Sequence, residues 1–454
     1  MLGDLQSFGL SLGGKQLHVH REMVNDDTGG DNVTWVVVDP ESERAGICGF
    51  LRASEPAPLT IGRDVDAANW ILRLPKSVAA RHLRLTVSGG DVILKPLDFE
   101  APVELYRLRS ASRENEIESR RRDNLAKLRE IYGGDIVPLT DDAARATLKA
   151  VNRVLRRENY RSKNWEKHPG GVLELPADRN PVIVGDLHAQ VDNLLKILSE
   201  GSLLDDLAAD TAFLVLLGDA THKEVDGELE EMDSSVMIMD LIMKLKLAFP
   251  DNFFYIRGNH DTFAEEVGKG GVPQGILLRR RLRELRGKNF VRRMDVFFER
   301  LPYVVKTSDF VACHAGPTRS QVAIDMLLDV KKYPGIKYEL TCGRVSAPNR
   351  PHGYTKGDVR RFRKTLGVER HHPVIVGHNP LSRQQTFWLH VNDIRYHHVL
   401  FSANTHNIGV FIRADKHMVP LEFPGEPMTR MINEIPSEEA AEADAEDDRE
   451  PPPT

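Results

Sequence analysis

Hydrophobic and polar residues follow two different patterns along the chain, and the change between them divides it into regions. Up to about residue 105, short apolar or alternating runs are separated by turn sequences such as DP, SEPAP and SGGD. Runs of this length and with these boundaries are typical of β-strands. The predicted strands cover residues 34–39, 46–51, 59–63, 83–87 and 91–95. The sequence therefore predicts an all-β domain over residues 1–105.

Residues 106–167 have a different composition, rich in charge and in strong helix formers. The segment ENEIESRRRDNLAKLREIYGG ends at a glycine pair, which is typical of a helix C-terminus. A second helix is predicted from Thr140 to about Arg157, because Asp141 and Asp142 fall in its first turn, where the helix dipole favours carboxylates. The clustered arginines could bind a polyanion, but the favoured interpretation is a solvated, charged helical connector.

From residue 168 to about residue 435, strand-like and helical patterns alternate. Helices are predicted over residues 190–200 and 234–248, between apolar runs that are each followed by a polar cluster. The apolar runs cover residues 181–184, 213–217, 253–256, 310–313 and 374–376. This alternation predicts an α/β (α+β) domain, with a sheet core covered by layers of helices.

The composition is that of a globular protein, with 41% hydrophobic and 28% charged residues. The formal net charge of -6 gives no reason to expect a nucleic-acid partner. The three cysteines, Cys48, Cys313 and Cys342, are widely separated and form neither a disulfide framework nor a CxxC zinc motif. We therefore expect a reducing compartment.

The two ends of the chain and its most apolar stretch bear on localisation. The start, MLGDLQSFGL, lacks the pattern of a signal peptide, and the apolar stretch 236–249 is interrupted by Asp240, Lys244 and Lys246. We expect a cytoplasmic protein without a membrane segment. Residues 436–454 are dominated by carboxylates and end in prolines, so this tail is predicted to be disordered.

Polar residues that can bind metal ions follow five of the apolar runs, where the predicted strands end. They are Asp186 and His188 in VIVGDLHAQ, Asp219 in LVLLGDATHKE, Asn259, His260 and Asp261 in FFYIRGNHD, His314 in FVACHAGP, and His378 in VIVGHNP. Each motif alone is weak, but five in order after five strand-like runs are very hard to obtain by chance. Because loops at the carboxyl ends of strands carry the site in such folds, we expect these side chains to converge.

The residue types indicate what this site would bind. Carboxylate, imidazole and amide oxygen together suit Mn, Fe or Zn. Two such cations, roughly 3.5–4 Å apart, can activate a water molecule for attack on phosphorus. Asp219 is a candidate bridging ligand, and a glycine precedes each of four motifs, which predicts sharp backbone turns there. These glycines are Gly185, Gly218, Gly258 and Gly377.

The order GDLH, GD, GNHD, HAG and GH resembles the calcineurin-like metallophosphoesterases, and most nearly their phosphoprotein phosphatase branch, with GDxHG, GDxVDRG, GNHE, HGG and a late His. The resemblance spans about residues 171–413, and FSANTHN near its end is similar to the FSAPNY segment of that branch. It implies a β-sandwich flanked by helices, with two divalent metal ions.

The resemblance also implies roles for individual residues. His260 would be the general acid that protonates the leaving oxygen, and Arg350 in APNRPHGY is a candidate phosphate-binding arginine. The implied ligands of one metal are Asp186, His188, Asp219 and His378. Those of the other are Asp219, Asn259, His314 and His378, and the metal that takes His378 is left open.

The second motif departs from the pattern of that branch. GDxVDRG reads GDATHKE here, which puts His222 in place of an orienting aspartate and Lys223 in place of a phosphate-binding arginine. A lysine neutralises a phosphate as a point charge but cannot bind it bidentately. Asp226 or Asp261 would then have to orient His260.

The N-terminal domain resembles a forkhead-associated phosphothreonine-binding module. Gly62, Arg63 and His82, in LTIGRD and KSVAARHLRL, match the GR and SxxH hallmarks of that module. Ala79 stands where the phosphate-contacting serine belongs, and no clear asparagine follows. A degenerate module or an unrelated small β domain is favoured over a working phosphopeptide-binding module.

The leading hypothesis is a metal-dependent hydrolase of phosphate monoesters, with phosphoserine and phosphothreonine in proteins as substrates. The alternative enzyme is a nucleotide hydrolase similar to diadenosine tetraphosphatases, since GNHD, HAGP and VGHNP are close to that branch too. A third hypothesis is a weakly active scaffold, which the altered GDATHKE favours and the full ligand set opposes. Partner proteins could bind through the N-terminal domain or the tail; neither nucleic acid nor a membrane is expected.

Overall fold

The structure is a computed structural model. It describes residues 7–25, 31–40, 50–55, 58–64, 72, 74–108, 111–382, 385–414 and 417–435. The predicted disordered tail, residues 436–454, lies outside the described residues, as do Cys48 and the first four positions of the predicted strand 46–51.

The N-terminal domain contains two antiparallel sheets. Their strands are β1 (Ser7–Leu12), β2 (Lys15–Asn25), β3 (Asp31–Val38), β4 (Phe50–Ser54), β5 (Leu59–Ile61), β6 (Leu83–Ser88), β7 (Asp91–Pro96) and β8 (Val103–Tyr106). One sheet has the order β4-β3-β2-β1-β8, and the other has the order β5-β6-β7. All five predicted strands are present with shifted ends, whereas β1, β2 and β8 were not predicted.

Local sequence explains how these strands meet. β1 and β2 form a hairpin through Gly13 and Gly14, whose φ angles of 57° and 90° are the left-handed conformations that a two-residue hairpin turn requires. Leu10 and Leu17 are buried opposite each other across this hairpin. Trp35 Nε1 donates to the Gly90 carbonyl at 3.0 Å, which joins the two sheets.

Two helices follow, as predicted: α1 (Ala111–Tyr132) and α2 (Asp141–Val154). Their apolar sides are not solvated, because Leu128 of α1 and Leu148 of α2 are fully buried in the core that also contains the catalytic-domain helices. The charged connector is therefore packed against the domain that follows it.

The remaining strands form two mixed sheets that belong to the C-terminal domain. They are β9 (Arg161–Lys163), β10 (Pro169–Glu174), β11 (Asn180–Val184), β12 (Ala212–Leu216), β13 (Phe253–Tyr255), β14 (Val304–Lys306), β15 (Val311–Cys313), β16 (Val374–Val376), β17 (Phe387–Trp388), β18 (His397–Leu400), β19 (Asn407–Ala414) and β20 (His417–Pro424). The seven-stranded sheet has the order β17-β18-β16-β15-β14-β10-β9, and the five-stranded sheet has the order β13-β12-β11-β19-β20.

Helices cover the outer faces of both sheets. They are α3 (Val191–Ser199), α4 (Leu203–Ala208), α5 (Asp233–Ala248), α6 (Gln274–Arg300), α7 (Ile324–Leu328), α8 (Pro334–Cys342), α9 (Lys356–Thr365) and α10 (Met428–Asn433). α6 is interrupted at Gly287, where φ is 75° and ψ is 172°. No helix in the described ranges combines the length and hydrophobicity that crossing a bilayer requires.

The strands β12, β13, β15 and β16 are apolar throughout because both of their faces are buried. Along β12, Phe213 and Val215 point into the core between the two sheets, whereas Leu214 and Leu216 point toward the helices. Phe254 of β13 and Val305 of β14 meet Phe213 and Val215 in the core between the sheets. This architecture confirms the predicted fold class: a β-sandwich flanked by helices and preceded by an all-β domain.

Replacing Phe254 with alanine tests the importance of the core between the sheets. Phe254 is completely buried, so we expect Phe254→Ala to lower the free energy of unfolding by roughly 3–5 kcal/mol. Phe99 is 85% exposed, and Phe99→Ala should change it by less than about 0.5 kcal/mol. Urea unfolding followed by circular dichroism measures both effects; equal losses for the two variants would contradict this packing.

Candidate active site and metal centre

The predicted metal ligands converge because the strand ends that carry them meet at one edge of the sandwich. β11, β12 and β13 run parallel in one sheet, and β15 and β16 run parallel in the other. A bridge between Asp186 and Phe401, together with a hydrogen bond from Ser402 N to the Asp186 carbonyl at 3.1 Å, links the edges of the two sheets. The six side chains at this edge are Asp186, His188, Asp219, Asn259, His314 and His378.

Two ligand groups share one carboxylate. Ligand atoms of Asp186, His188 and Asp219 lie within 4.8 Å of one another, and so do those of Asp219, His314 and His378. Asp219 thus belongs to both groups, which is the position of a bridging ligand between two cations. In the structure, His378 lies in the same ligand group as His314. The sequence left open which of the two groups would include His378.

Hydrogen bonds from the backbone orient several of these side chains. His314 Nδ1 donates to the Leu217 carbonyl at 2.8 Å, which turns Nε2 toward Asp219 Oδ2 at 3.2 Å. The two carboxylate oxygens of Asp186 each accept from His378 N at 3.0 Å. The backbone of His378, a ligand in one group, therefore orients the Asp186 carboxylate, a ligand in the other.

The Asn259 amide shows that the site fits a cation. One terminal atom of this amide lies 3.0 Å from His314 Nε2, 3.0 Å from Asp219 Oδ2 and 2.8 Å from His378 Nδ1. An amide nitrogen has two hydrogens and cannot satisfy the Asp219, His378 and Thr341 acceptors around it, the last at 3.2 Å, whereas an amide oxygen is favourable there only beside a cation. His188 Nδ1 is also buried without a partner among the described residues. The donor set suits two divalent cations.

The backbone at the ligands adopts a conformation that is unfavourable for residues with a side chain. His188, Asp219 and His378 have φ angles of 41°, 49° and 59°, in the left-handed region. Such conformations persist at functional sites because the surroundings enforce them. The predicted reason for the glycines was only partly correct: Gly218 does have a positive φ of 99°, but a Cβ atom on Gly258 would lie 2.1 Å from Asp219 Oδ1. Close approach, and not a turn, requires glycine at that position.

Burial and neighbouring charge shift the pKa values of the ligands in opposite directions. Burial, reinforced by the nearby Asp219 carboxylate, raises the pKa of Asp186 to about 8. The Asp219 and Asp186 carboxylates outweigh burial at His314 and raise its pKa to about 9. Burial lowers the pKa of His188 and that of His378, so both imidazoles are neutral at pH 7 and available as ligands.

The predicted general acid, His260, has a partner that the sequence analysis did not assign to it. His260 Nδ1 lies 3.1 Å from His222 Nδ1. The predicted substitute Asp261 is engaged elsewhere: its carboxylate accepts from the Tyr255 hydroxyl and from Gly258 N at 2.7 Å. It therefore braces the loop that carries Asn259. Asp226 remains a prediction.

Neither predicted phosphate-binding residue contacts a predicted ligand among the described contacts. Lys223 forms an ion pair with Glu228, and Arg350 is exposed in a turn closed by its backbone hydrogen bond to the Ala347 carbonyl at 2.8 Å.

Two charged residues near the site were not predicted from sequence. Glu224 Oε1 lies 3.8 Å from His188 Nε2, and Glu224 Oε2 accepts from Lys269 Nζ at 2.6 Å. Arg344 lies within electrostatic range of Asp186 and Glu224, and burial followed by the positive charge of Arg350 lowers its pKa. Both residues lie in or close to segments already identified from sequence, since Glu224 ends GDATHKE and Arg344 is six positions before Arg350.

Comparison with known families identifies the family to which the chain belongs. Residues 181–417, more than half of the chain, match the family described as calcineurin-like phosphoesterase. The chain therefore belongs to the calcineurin-like phosphoesterase family, and all six predicted ligands fall within the matched residues. It is a hydrolase of the metallophosphoesterase type, a family that normally binds a pair of divalent metal ions. The predicted family is confirmed.

Solved structures with partial similarity include three phosphatases. A protein serine/threonine phosphatase from Saccharomyces cerevisiae is 16% identical, with 63% of this chain and 91% of that chain covered and a TM-score of 0.47. A candidate diadenosine tetraphosphatase is 15% identical, with 57% and 99% covered and a TM-score of 0.33. A cold-active protein-tyrosine phosphatase of a Shewanella species is 10% identical, with 89% and 98% covered and a TM-score of 0.36. These similarities decide nothing about substrate.

The raised pKa values predict that metal binding releases protons. At pH 7 the metal-free site holds a proton on Asp186 and one on His314, because both pKa values lie above 7. A cation must displace these protons, so its affinity should rise with pH by up to about tenfold per unit for each proton displaced, until about pH 8 for the Asp186 proton and about pH 9 for the His314 proton. Calorimetric titration of Mn²⁺ at several pH values, in buffers of different ionisation enthalpy, counts the protons. An affinity independent of pH would contradict this account.

Proposed function

We propose that the protein hydrolyses phosphate monoesters, with phosphoserine and phosphothreonine side chains of proteins as its substrates. The observation that carries the proposal is the position of Asp219, which is shared by two complete ligand groups at one edge of the sandwich. Two cations held in this way, of Mn, Fe or Zn, supply an activated water and neutralise charge on the phosphoryl group. One group would be Asp186, His188 and Asp219; the other would be Asp219, Asn259, His314 and His378.

Arginine side chains at the entrance support phosphate binding. Arg344 follows α8 and lies close enough to Asp186 and Glu224 to interact with both electrostatically, and Arg350 lies close to Arg344. A guanidinium can bind two phosphate oxygens at once, which a lysine cannot. We therefore assign phosphate recognition to Arg344 first, with Arg350 beside it. Lys223 is a weaker candidate because Glu228 already neutralises it.

His260 is positioned to act as the general acid. Its backbone N donates to Asp219 Oδ1 at 2.7 Å, so the imidazole is anchored beside the bridging carboxylate. His222 is completely buried, and burial lowers its pKa to about 3, so it is neutral and can accept a hydrogen bond from His260 Nδ1. The Nε2 atom of His260 is then free to protonate the leaving oxygen.

Charge around the site favours a monoester over a polyphosphate chain. Glu224 lies beside His188, and the segment that follows it, residues 225–231, contains four more carboxylates, of which Glu228 is paired with Lys223. A local excess of like charge raises the cost of placing further negative charge nearby. A dinucleotide tetraphosphate carries more such charge than a single phosphorylated side chain, so this segment supports a protein substrate.

Turnover of three substrates by the purified, manganese-loaded protein tests the proposal. We expect hydrolysis of para-nitrophenyl phosphate and of a phosphoserine peptide, and slower hydrolysis of diadenosine tetraphosphate. Asp219→Asn should lose more than roughly 100-fold in kcat/KM, because changes one shell further out already cost 10–100-fold. Asp205→Asn is the matched control, since Asp205 is 64% exposed and pairs only with Lys127 in the described contacts.

The possible outcomes of this assay distinguish a protein substrate, a nucleotide substrate and a scaffold role. A preference for the dinucleotide would replace the protein substrate by a nucleotide. Bound manganese without turnover of any of the three compounds would leave a scaffold role in place of catalysis.

The pairing of His222 with His260 predicts a dependence on the leaving group. His222→Ala should reduce kcat roughly 10- to 100-fold for the phosphoserine peptide, whose alkoxide leaving group needs a proton, and much less for para-nitrophenyl phosphate. His222→Asp, which restores an acceptor, should retain most of the rate, and His260→Ala should show the largest loss. An equal loss on both substrates would show that His222 has only a structural role.

A further inference from the structure

A second cluster of metal-binding residues lies away from the active site, in the loop between α9 and β16. Its sequence is Glu369-Arg370-His371-His372, followed by Pro373. One ligand atom of each of Glu369, His371 and His372 lies within 4.8 Å of the others. Among the described residues, this is the one such group that shares no member with the predicted catalytic ligands.

The spacing of these side chains is close to that of a metal site. Glu369 Oε2 lies 3.3 Å from His371 Nδ1. The rings of His371 and His372 are 4.0 Å apart between centroids and tilted by 41°. In a tetrahedral zinc site with bonds of about 2.0–2.2 Å, neighbouring ligand atoms lie roughly 3.3–3.5 Å apart. Small rotations of two exposed side chains would complete this geometry.

The loop backbone is held in place, although the side chains are accessible. His372 N donates to the Glu369 carbonyl at 3.2 Å, which closes the turn. Arg363 of α9 donates through Nη1 to the Arg370 carbonyl at 3.1 Å. The side chains of His371 and Glu369 are 60% and 73% exposed, so a cation can reach them from solvent. Because the turn is already ordered, binding a cation loses less conformational entropy.

The cluster is separated from the catalytic centre by the length of β16. It precedes the first residue of that strand, and His378 follows the last. At about 3.3 Å per residue, the six positions from His372 to His378 span roughly 20 Å. A cation bound at the loop would therefore not compete for the catalytic ligands.

We propose that Glu369, His371 and His372 form a surface site for a divalent transition-metal cation, of which Zn²⁺ is the best fit. Two imidazoles and one carboxylate select zinc and its neighbours over magnesium or calcium, which require oxygen ligands. Three protein ligands leave a fourth position open to water or to a donor from another molecule. His417, the first residue of β20, interacts electrostatically with His372.

Equilibrium dialysis of the full-length protein against micromolar Zn²⁺, followed by metal analysis, tests this site. We expect the double variant His371→Ala/His372→Ala to bind one Zn²⁺ fewer per chain than the wild type. Glu369→Gln should keep the site but weaken it by about tenfold. This readout is a difference in bound metal, so it does not depend on phosphatase activity or on the occupancy of the catalytic centre.

His168→Ala is the matched control. His168 is an exposed histidine that also lies beside a glutamate, Glu166, at 3.5 Å, but it has no adjacent second histidine. It should bind as much Zn²⁺ as the wild type. Equal zinc content in the wild type and the double variant would overturn the proposal, as would an equal loss in His168→Ala.

Discussion

Two carboxylates, Asp186 and Asp219, are buried beside each other among imidazoles, and the rest of the catalytic domain is arranged around two groups that cannot both be charged there without compensation. Removing charged groups from water is costly unless nearby groups of opposite charge and hydrogen-bond donors compensate. Backbone N–H groups of His378 and His260 supply donors, and His314 supplies positive charge in the metal-free site. Two divalent cations would complete this compensation, so the same arrangement that is costly without metal is the one that binds it.

The sandwich makes this placement possible because its two sheets contribute different ligands to one edge. The first three motifs follow strands of the five-stranded sheet, and the last two follow strands of the seven-stranded sheet. The core between the sheets sets the distance between these loops, so packing far from the chemistry determines ligand geometry. Gly258 shows how little space is left, since its missing side chain is what lets Asp219 approach.

The ligand motifs were predictable from sequence because each follows a strand buried on both faces, and such strands appear as continuous apolar runs. β2 was missed because Leu17 and Val19 alternate with the half-buried His18 and His20, a weaker signal that depends on pairing with β1. The contact between His222 and His260 could not be predicted, since the two residues are 38 positions apart and no local pattern specifies their meeting. Arg344 was overlooked for the same reason: its position beside the site is set by the end of α8.

The N-terminal domain is attached to the catalytic domain by more than its connector. Arg52 of β4 donates to the Asn407 side chain of β19 at 2.7 Å, and both domains contribute to one continuous hydrophobic core. A flexible tether would let a bound partner sample many distances from the metal centre. The packed interface between the two domains instead fixes one distance between the N-terminal domain and the metal centre. If the proposed protein substrate binds the N-terminal domain, this fixed distance would limit which of its phosphorylated residues reach the metal centre.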